Sequence, residues 1–177
     1  MRKLIVAAAV VWSTAPARAQ DVPKAEAFAG YSYAHLGDED LKYGWNLAVG
    51  YNLNRRLAVV ADASGQYGSA QGVDLDQLTL TGGPSGVFGR ARPASVFIHA
   101  LFGLVRTSAG ISVLGVTISE RQSDFGMLFG GGVDLKVGAK LAFRLQGDYE
   151  RVQADGGAEA GYRLSAGIVL RLGKKGP

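Results

Sequence analysis

The sequence contains two histidines, His35 and His99, and no cysteine, so nucleophilic or general acid–base chemistry at neutral pH would depend on one of these imidazoles. His35 is followed by an acidic run at residues 38–40, which resembles part of a Ser-His-acid constellation. The serine would have to come from another segment, for which the candidates are Ser69, Ser108 and Ser119. Because no spacing fixes that geometry, we predict no catalytic residues and interpret His35 as a solvated loop histidine.

Metal binding is the second chemistry that the sequence allows. The acidic run at residues 38–40 and the pair Asp74 and Asp76 offer carboxylate oxygens for a hard cation. Neither segment has the Asp-x-Asp-x-Asp-Gly spacing of a calcium loop, and a thiolate site needs cysteine. No phosphate-cradling motif occurs. We therefore predict no metal site and no cofactor.

A different set of charged residues lies inside apolar, glycine-rich stretches. A charge that is removed from water needs an ionic or hydrogen-bonding partner. We therefore predict that these residues form ion pairs that plug the interior of the folded chain. The set comprises Asp62, Asp134, Arg144, Asp148, Arg163 and Arg171.

The elements that must position these charges show a period of two, which is typical of β-strands. In residues 43–53 every second side chain is large and apolar, and the intervening ones are small or polar. Similar segments of about ten residues recur along the chain, and about ten residues cross a bilayer as a tilted strand. The eight segments are 25–35, 43–53, 56–66, 77–88, 95–106, 124–136, 139–151 and 160–172. Within 95–106 we expect His99 and Gly103 to face inward, and the opposite phase stays open at this point. The residues expected to face outward are Val96, Ile98, Ala100, Phe102 and Leu104.

The polarity of the two faces favours lipid over water as the surroundings. The face opposite the apolar one carries mid-strand charges interleaved with glycine, which suits the narrow interior of a small barrel. Aromatic residues near segment ends suit the two membrane interfaces. They include Tyr31, Tyr33, Tyr43, Trp45, Tyr149 and Tyr162. Long connections at 36–42, 67–76, 107–123 and 152–159 alternate with short ones at 54–55, 89–94 and 137–138. We predict an all-β fold: a closed antiparallel eight-stranded up-and-down transmembrane β-barrel.

The N-terminus predicts export. Arg2 and Lys3 precede an apolar run at residues 4–12, and Ala17 and Ala19 form a small-x-small cleavage site before Gln20. We expect residues 1–19 to be a signal peptide and residues 20–177 to form the barrel domain. Three of the 19 basic residues fall in the leader, so most of the net charge of +4 leaves with it. No other basic cluster suggests nucleic-acid binding.

Several segments resemble the small outer-membrane β-barrel family, with the OmpA-like transmembrane fold. They are EAFAGYSY at 26–33, GGP at 82–84, FGGGVD at 129–134, RLQGDY at 144–149 and YRLSAGI at 162–168. The last strand also resembles the C-terminal signal read by the barrel-assembly machinery, through Ser165, Gly167, Leu170 and Leu172. The family prefers aromatic residues at the last two places, where this chain has leucine.

The resemblance implies a non-enzymatic integral protein of the bacterial outer membrane, with a structural or surface-interaction role and a lumen filled by side chains. It implies contact with outer-membrane lipids and lipopolysaccharide, contact with the assembly machinery during biogenesis, and a monomer. Because the given sequence ends five residues after the segment 160–172, we also expect no periplasmic peptidoglycan-binding domain. Two alternatives stay open at this point: a lipid-modifying barrel enzyme of the outer membrane, and a soluble lipocalin-like barrel that binds an apolar ligand.

Overall fold

The computed structural model describes residues 23–37, 39–70, 73–88, 93–113, 116–154 and 157–174. The predicted signal peptide, with Ala17 and Ala19, lies outside these residues, and so does Asp38. No helix within the described ranges is long and apolar enough to cross a membrane.

Antiparallel strands account for most of the described chain. They are β1 (Pro23–Leu36), β2 (Glu39–Leu41), β3 (Tyr43–Asn52), β4 (Leu57–Ala70), β5 (Val73–Phe88), β6 (Ala94–Val113), β7 (Val116–Lys136), β8 (Leu141–Ala154) and β9 (Gly157–Lys174). Eight of them pair with their neighbours in chain order, and β9 pairs back onto β1. The predicted closed eight-stranded up-and-down barrel is therefore confirmed, with β2 as a short addition that pairs only with β1.

The predicted long loops are wrong in three of four cases. Most of 67–76, 107–123 and 152–159 is strand, because β4–β5, β6–β7 and β8–β9 continue as paired hairpins up to residues 71–72, 114–115 and 155–156. These stretches are rich in glycine, serine and other polar residues, a composition that is typical of loops. We call this side of the barrel the hairpin end, and the side with the connections at 53–56, 89–93 and 137–140 the turn end.

The register determines how far the strands tilt. A path along cross-strand partners that starts at Leu141 on β8 returns to β8 at Arg151, ten residues further along. The path runs through Leu170, Ala27, Val49, Ala61, Gly82, Phe102 and Met127. With about 3.3 Å per residue and about 4.8 Å between strands, that offset corresponds to a tilt of roughly 40°. Such a tilt is typical of transmembrane barrels and leaves an interior that side chains can fill.

The two faces of the wall have the predicted inverted polarity. Val96, Ile98 and Leu104 are exposed on the outside of β6, whereas His99 is buried inside, so the predicted phase of this strand is confirmed. Other strands follow the same rule, as with Leu145 outside and Asp148 inside on β8. The barrel therefore presents its apolar side chains outward and keeps its charges within.

A β-bulge bends the chain at the hairpin end of β3. Tyr31 pairs with Trp45, whereas Ala34 pairs with Leu41, so the ladder gains one residue at Lys42. The Tyr31 hydroxyl donates a hydrogen bond to the Lys42 carbonyl oxygen at this point. The extra residue turns Leu41 inward, where it is buried, and β2 thereby covers part of the hairpin end of the lumen.

Candidate functional site

Arg163 is the centre of a buried charge cluster in the lumen. Its side chain on β9 is fully buried, and its Nη1 lies 2.8 Å from Asp62 Oδ1 on β4. Its Nε and Nη2 donate to Asp148 Oδ2 at 3.0 and 2.8 Å, which is a two-pronged contact to β8. Nη1 also donates to Ser64 Oγ at 2.7 Å. One guanidinium therefore ties together three strands across the barrel.

The two carboxylates of this cluster have further partners. His99 Nε2 lies 2.7 Å from Asp148 Oδ1, and Gln146 Nε2 donates to Asp148 Oδ2 at 2.9 Å. Asn46 Nδ2 donates to Asp62 Oδ2 at 2.8 Å. Several short hydrogen bonds to a buried carboxylate stabilise its charged form. We call Asp62, His99, Asp148 and Arg163 the central cluster.

A second cluster lies nearer the turn end. Arg144 Nε and Nη2 donate to the two oxygens of Asp134 at 2.7 and 3.0 Å, a bidentate pair between neighbouring strands. Glu26 on β1 lies 3.7 Å from Arg144 and 3.6 Å from Arg171, and Arg171 lies 3.7 Å from Asp134. Two acidic and two basic side chains therefore balance each other here. We call these four residues the turn-end cluster.

Two phenylalanines line the lumen beside the turn-end cluster. The Arg144 guanidinium lies over the rings of Phe28 and Phe97, at 5.4 and 4.2 Å from their centroids. Both rings are buried, and Phe97 precedes His99 of the central cluster by one inward position on β6. The six predicted charges thus fall into two clusters with aromatic side chains at their boundary.

The predicted set of six charged residues leaves out several side chains that contact it. These are Glu26, His99, Gln146 and Ser64. Strand alternation already placed His99 on the inward face. The partners of these side chains depend on which strands face each other across the lumen, and alternation along one strand carries no such information.

The hairpin end carries a polar and aromatic cluster around Asp40. Its Oδ1 lies 2.6 Å from the Tyr33 hydroxyl and 2.7 Å from His35 Nδ1, and the His35 ring packs on Tyr162 at 5.1 Å between centroids. The hydrogen bond from Tyr33, followed by that from His35, lowers the pKa of the Asp40 carboxyl. Both nearby donors therefore favour an ionised Asp40 at the rim.

The interpretation of His35 as a loop histidine is wrong, because the residue lies on β1 and contacts Asp40 and Tyr162. Among the described side chains, no serine hydroxyl hydrogen-bonds to His35, whose Nδ1 is held by Asp40. The side chains of Ser69 and Ser119 lie outside the described set. The described part of the chain also contains no group of three or more His, Cys, Asp or Glu residues that could hold a metal ion.

The six predicted interfacial aromatics lie on the outer wall near the hairpin end, so they suit one membrane interface and not the two that the sequence predicted. Tyr43 is the most exposed, at 73%, and Tyr31, Tyr149 and Tyr162 are about half exposed. The Trp45 indole donates to the Tyr67 hydroxyl at 3.3 Å and fills the space left by Gly65, which has no side chain. This arrangement gives the outer wall a belt with hydrogen-bonding aromatic rings, which suits a membrane interface.

The residues that resemble an assembly signal have positions in the folded barrel. Ser165 faces the lumen and contacts Ser32, while Leu170 and Leu172 lie on the outer wall. Gly167 lies opposite Gly30 in the ladder that closes the barrel, and a Cβ at Gly167 would overlap the Ala29 carbonyl oxygen. Glycine at this position therefore has a steric reason within the fold itself.

Several solved structures of outer-membrane barrels resemble this structure. The structure resembles Neisserial surface protein A with a TM-score of 0.67 and 18% identity, over 84% of this chain and 96% of that one. It resembles Ail, the attachment invasion locus protein of Yersinia pestis, with a TM-score of 0.58 and 21% identity, over 84% and 99% of the two chains. The N-terminal β-barrel domain of Pseudomonas aeruginosa OprF follows with a TM-score of 0.52 and 9% identity, over 84% and 99%. No curated protein sequence matches the chain.

The sequence profile of one family matches residues 4–172, which is nearly the whole chain. The profile, the closed barrel and its outward apolar wall rule out the soluble lipocalin-like alternative, since such a wall is stable only in lipid. The chain belongs to the family described as Outer membrane protein beta-barrel domain, and it is a small transmembrane β-barrel of the bacterial outer membrane.

Proposed function

We propose that this barrel is a non-enzymatic surface-interaction protein whose hairpin end faces the cell exterior. The observation that carries this proposal is the length of the β6–β7 hairpin. β8 pairs with β7 only as far as Phe125, so residues 116–124 of β7 have β6 on one side and no paired strand on the other within the described chain. At about 3.3 Å per residue, this is roughly 30 Å of open strand edge.

An open strand edge is a recognition feature because its N–H and C=O groups lack partners within the sheet. An extended segment of another protein can bind such an edge through main-chain hydrogen bonds. β5 pairs with β6 as far as Gly110, which supports the base of the hairpin on one side. The hairpin is therefore anchored in the wall while its β7 edge stays accessible.

Shortening this hairpin tests the proposal. Removing residues 109–113 and 116–120 keeps the remaining β6–β7 pairs in register, because Ser108 pairs with Arg121. We expect cells that express this variant to lose binding to an immobilised extracellular-matrix protein, down to the level of cells without the barrel. Binding is measured as adherent cells per area.

The matched control shortens the β8–β9 hairpin by removing residues 153–154 and 157–158, which also pair with each other. This variant should bind as the full chain does, since the β7 edge is intact. Both variants must show the same heat-modifiable migration in detergent gels as the full chain. Equal binding by the shortened β6–β7 variant and the full chain would contradict the proposed role of the edge.

We further propose that the outer wall contacts lipopolysaccharide phosphates near the hairpin end. Arg106 and Arg151 are exposed, and each lies two residues beyond an exposed apolar or aromatic side chain, Leu104 and Tyr149. Guanidinium groups bind phosphate through paired hydrogen bonds. Arg106 and Arg151 thus lie at the level of the wall where the lipid headgroups of the outer leaflet would be.

The double variant R106E/R151E is expected to reduce the lipopolysaccharide that copurifies with the barrel by roughly tenfold, because two attractive contacts become repulsive. The measurement is phosphate or lipid A per mole of purified protein. R55E/R56E is the matched control, since these exposed arginines lie in the turn between β3 and β4 at the opposite end. An equal loss in both variants would mean that the arginine positions do not matter.

A lumen plugged by side chains completes the proposed role. The central and turn-end clusters occupy the interior with paired charges, and Phe28 and Phe97 pack between them. We propose that the barrel conducts no solute through its lumen and acts through its surface. The enzymatic alternative requires His35 as a base, and its test is the lipid A profile of cells with a His35→Ala variant, which should match that of the full chain.

A further inference from the structure

Glu150 is a buried carboxylate that neither charge cluster accounts for. It lies on the lumen face of β8, two residues beyond Asp148, and is 1% exposed. Gln77 Nε2 on β5 donates to Glu150 Oε1 at 2.8 Å. No basic side chain of the described residues lies within ion-pair distance of it. A buried carboxylate with an amide as its partner lacks a compensating positive charge.

The surrounding charges increase this imbalance. The charged groups that face this part of the lumen are Asp148 on β8, Asp62 on β4, Arg163 on β9 and His99 on β6. The facing positions on the other strands are uncharged, namely Ser32, Asn46, Gln77 and Leu128. This part of the lumen therefore holds three carboxylates and one guanidinium, which pairs with only two of them. The carboxylates outnumber the positive groups even when His99 carries a proton.

Buried oxygen atoms without hydrogen-bond partners show the same lack of positive or donating groups, independently of the count of charges. Gln66 is fully buried, and its Oε1 has no partner among the described residues, although its Nε2 donates to Ser32. Gln66 lies directly opposite Gln77, the partner of Glu150, in the β4–β5 ladder. Thr81, opposite Asp62, is buried with its hydroxyl oxygen likewise unpartnered. The unsatisfied atoms of this region are oxygens, which accept a hydrogen bond or coordinate a cation.

We propose that the lumen beside Glu150 binds one positive charge, as a hard cation or as a proton. Carboxylate, amide and hydroxyl oxygens are the donor set of alkali and alkaline-earth ions, which makes a soft transition metal unsuitable. A proton on Glu150 would supply the same charge. Either species neutralises the third carboxylate and removes its competition for Arg163.

The experiment uses the full barrel in non-ionic detergent micelles, with the midpoint of heat unfolding followed by circular dichroism. The variants are E150Q, which keeps an amide in place of the carboxylate, and E159Q as the matched control on an exposed glutamate of β9. One series exchanges choline for sodium or calcium chloride at constant ionic strength and pH. The other series varies pH at constant salt.

A bound cation raises the midpoint of the wild type and of E159Q by about 5 °C with sodium or calcium and leaves E150Q unchanged. A bound proton lowers the wild-type and E159Q midpoints as pH rises, because the folded protein then loses the proton that it took up, while E150Q stays level. Both results support the site and identify its occupant. The proposal is overturned if wild type and E150Q respond equally in both series.

Discussion

Replacing Arg163 by methionine should destabilise the barrel by about 3–5 kcal/mol, because the substitution leaves two buried carboxylates without their shared cation. The Arg163 side chain is fully buried and contacts Asp62 and Asp148 at 2.8 Å each. Methionine fills similar volume, so the expected loss comes from the unpaired charges rather than from a cavity. The measurement is the free energy of unfolding in urea, with the barrel in detergent micelles.

The triple variant R163M/D62N/D148N separates charge from packing. It removes the two carboxylates along with the guanidinium, and we expect it to recover most of the lost stability, since amides can accept the hydrogen bonds of Asn46 and Gln146. Arg55→Met, at an exposed turn position, is the control and should change stability by less than about 0.5 kcal/mol. If R163M and R55M unfold at the same urea concentration, the central cluster does not stabilise the barrel.

Replacing Gly167 by valine is the second large effect that we expect, with a loss of about 3 kcal/mol or failure to close the barrel. A Cβ at Gly167 would overlap the Ala29 carbonyl oxygen and the Gly30 Cα, which are backbone atoms of β1 and cannot rotate away. This position lies in the β1–β9 ladder, whose pairs remove the open edge of the sheet. The measurement is the fraction of protein that migrates as the folded species in unheated detergent gels.

Gly147→Val is the matched control in the neighbouring strand. A Cβ at Gly147 meets only the tip of Leu164, at an ordinary 3.5 Å, so a side chain there has room on the outer wall. We expect this variant to fold and migrate like the full chain. Equal folding of both valine variants would show that the close approach at the seam is not a constraint, and equal failure would point to strand glycine content instead.

The effect of Gly167 also separates two explanations for the C-terminal pattern. The proposed recognition of Ser165, Gly167, Leu170 and Leu172 by the assembly machinery predicts failure only in cells. The steric argument predicts failure during refolding of the purified chain into micelles as well. Refolding yield in the absence of any assembly factor therefore distinguishes the two.

Alternation along single strands was readable from the sequence because each strand of this barrel separates lipid from a polar lumen. The opposed faces of residues 43–53, and the inward positions of His99 and Asp148, follow from that one constraint. The number of strands follows as well, because the sequence contains eight alternating segments that are each long enough to cross the membrane. The ends of the strands were not readable, because the β6–β7 hairpin stays paired through a stretch rich in glycine and serine, a composition that is typical of loops.

Partner identities in the lumen depended on the tertiary structure alone. Arg163 and Asp62 are 101 residues apart, on strands that never pair, and they meet because they point at each other across the barrel. The two-cluster arrangement and the uncompensated Glu150 arise from the ten-residue offset that accumulates over one full circuit of the closed barrel. Sequence therefore determined which side chains face inward, since that is a local property of period two. The closed sheet decided which of them touch, since tilt and register set the height of every residue in the lumen.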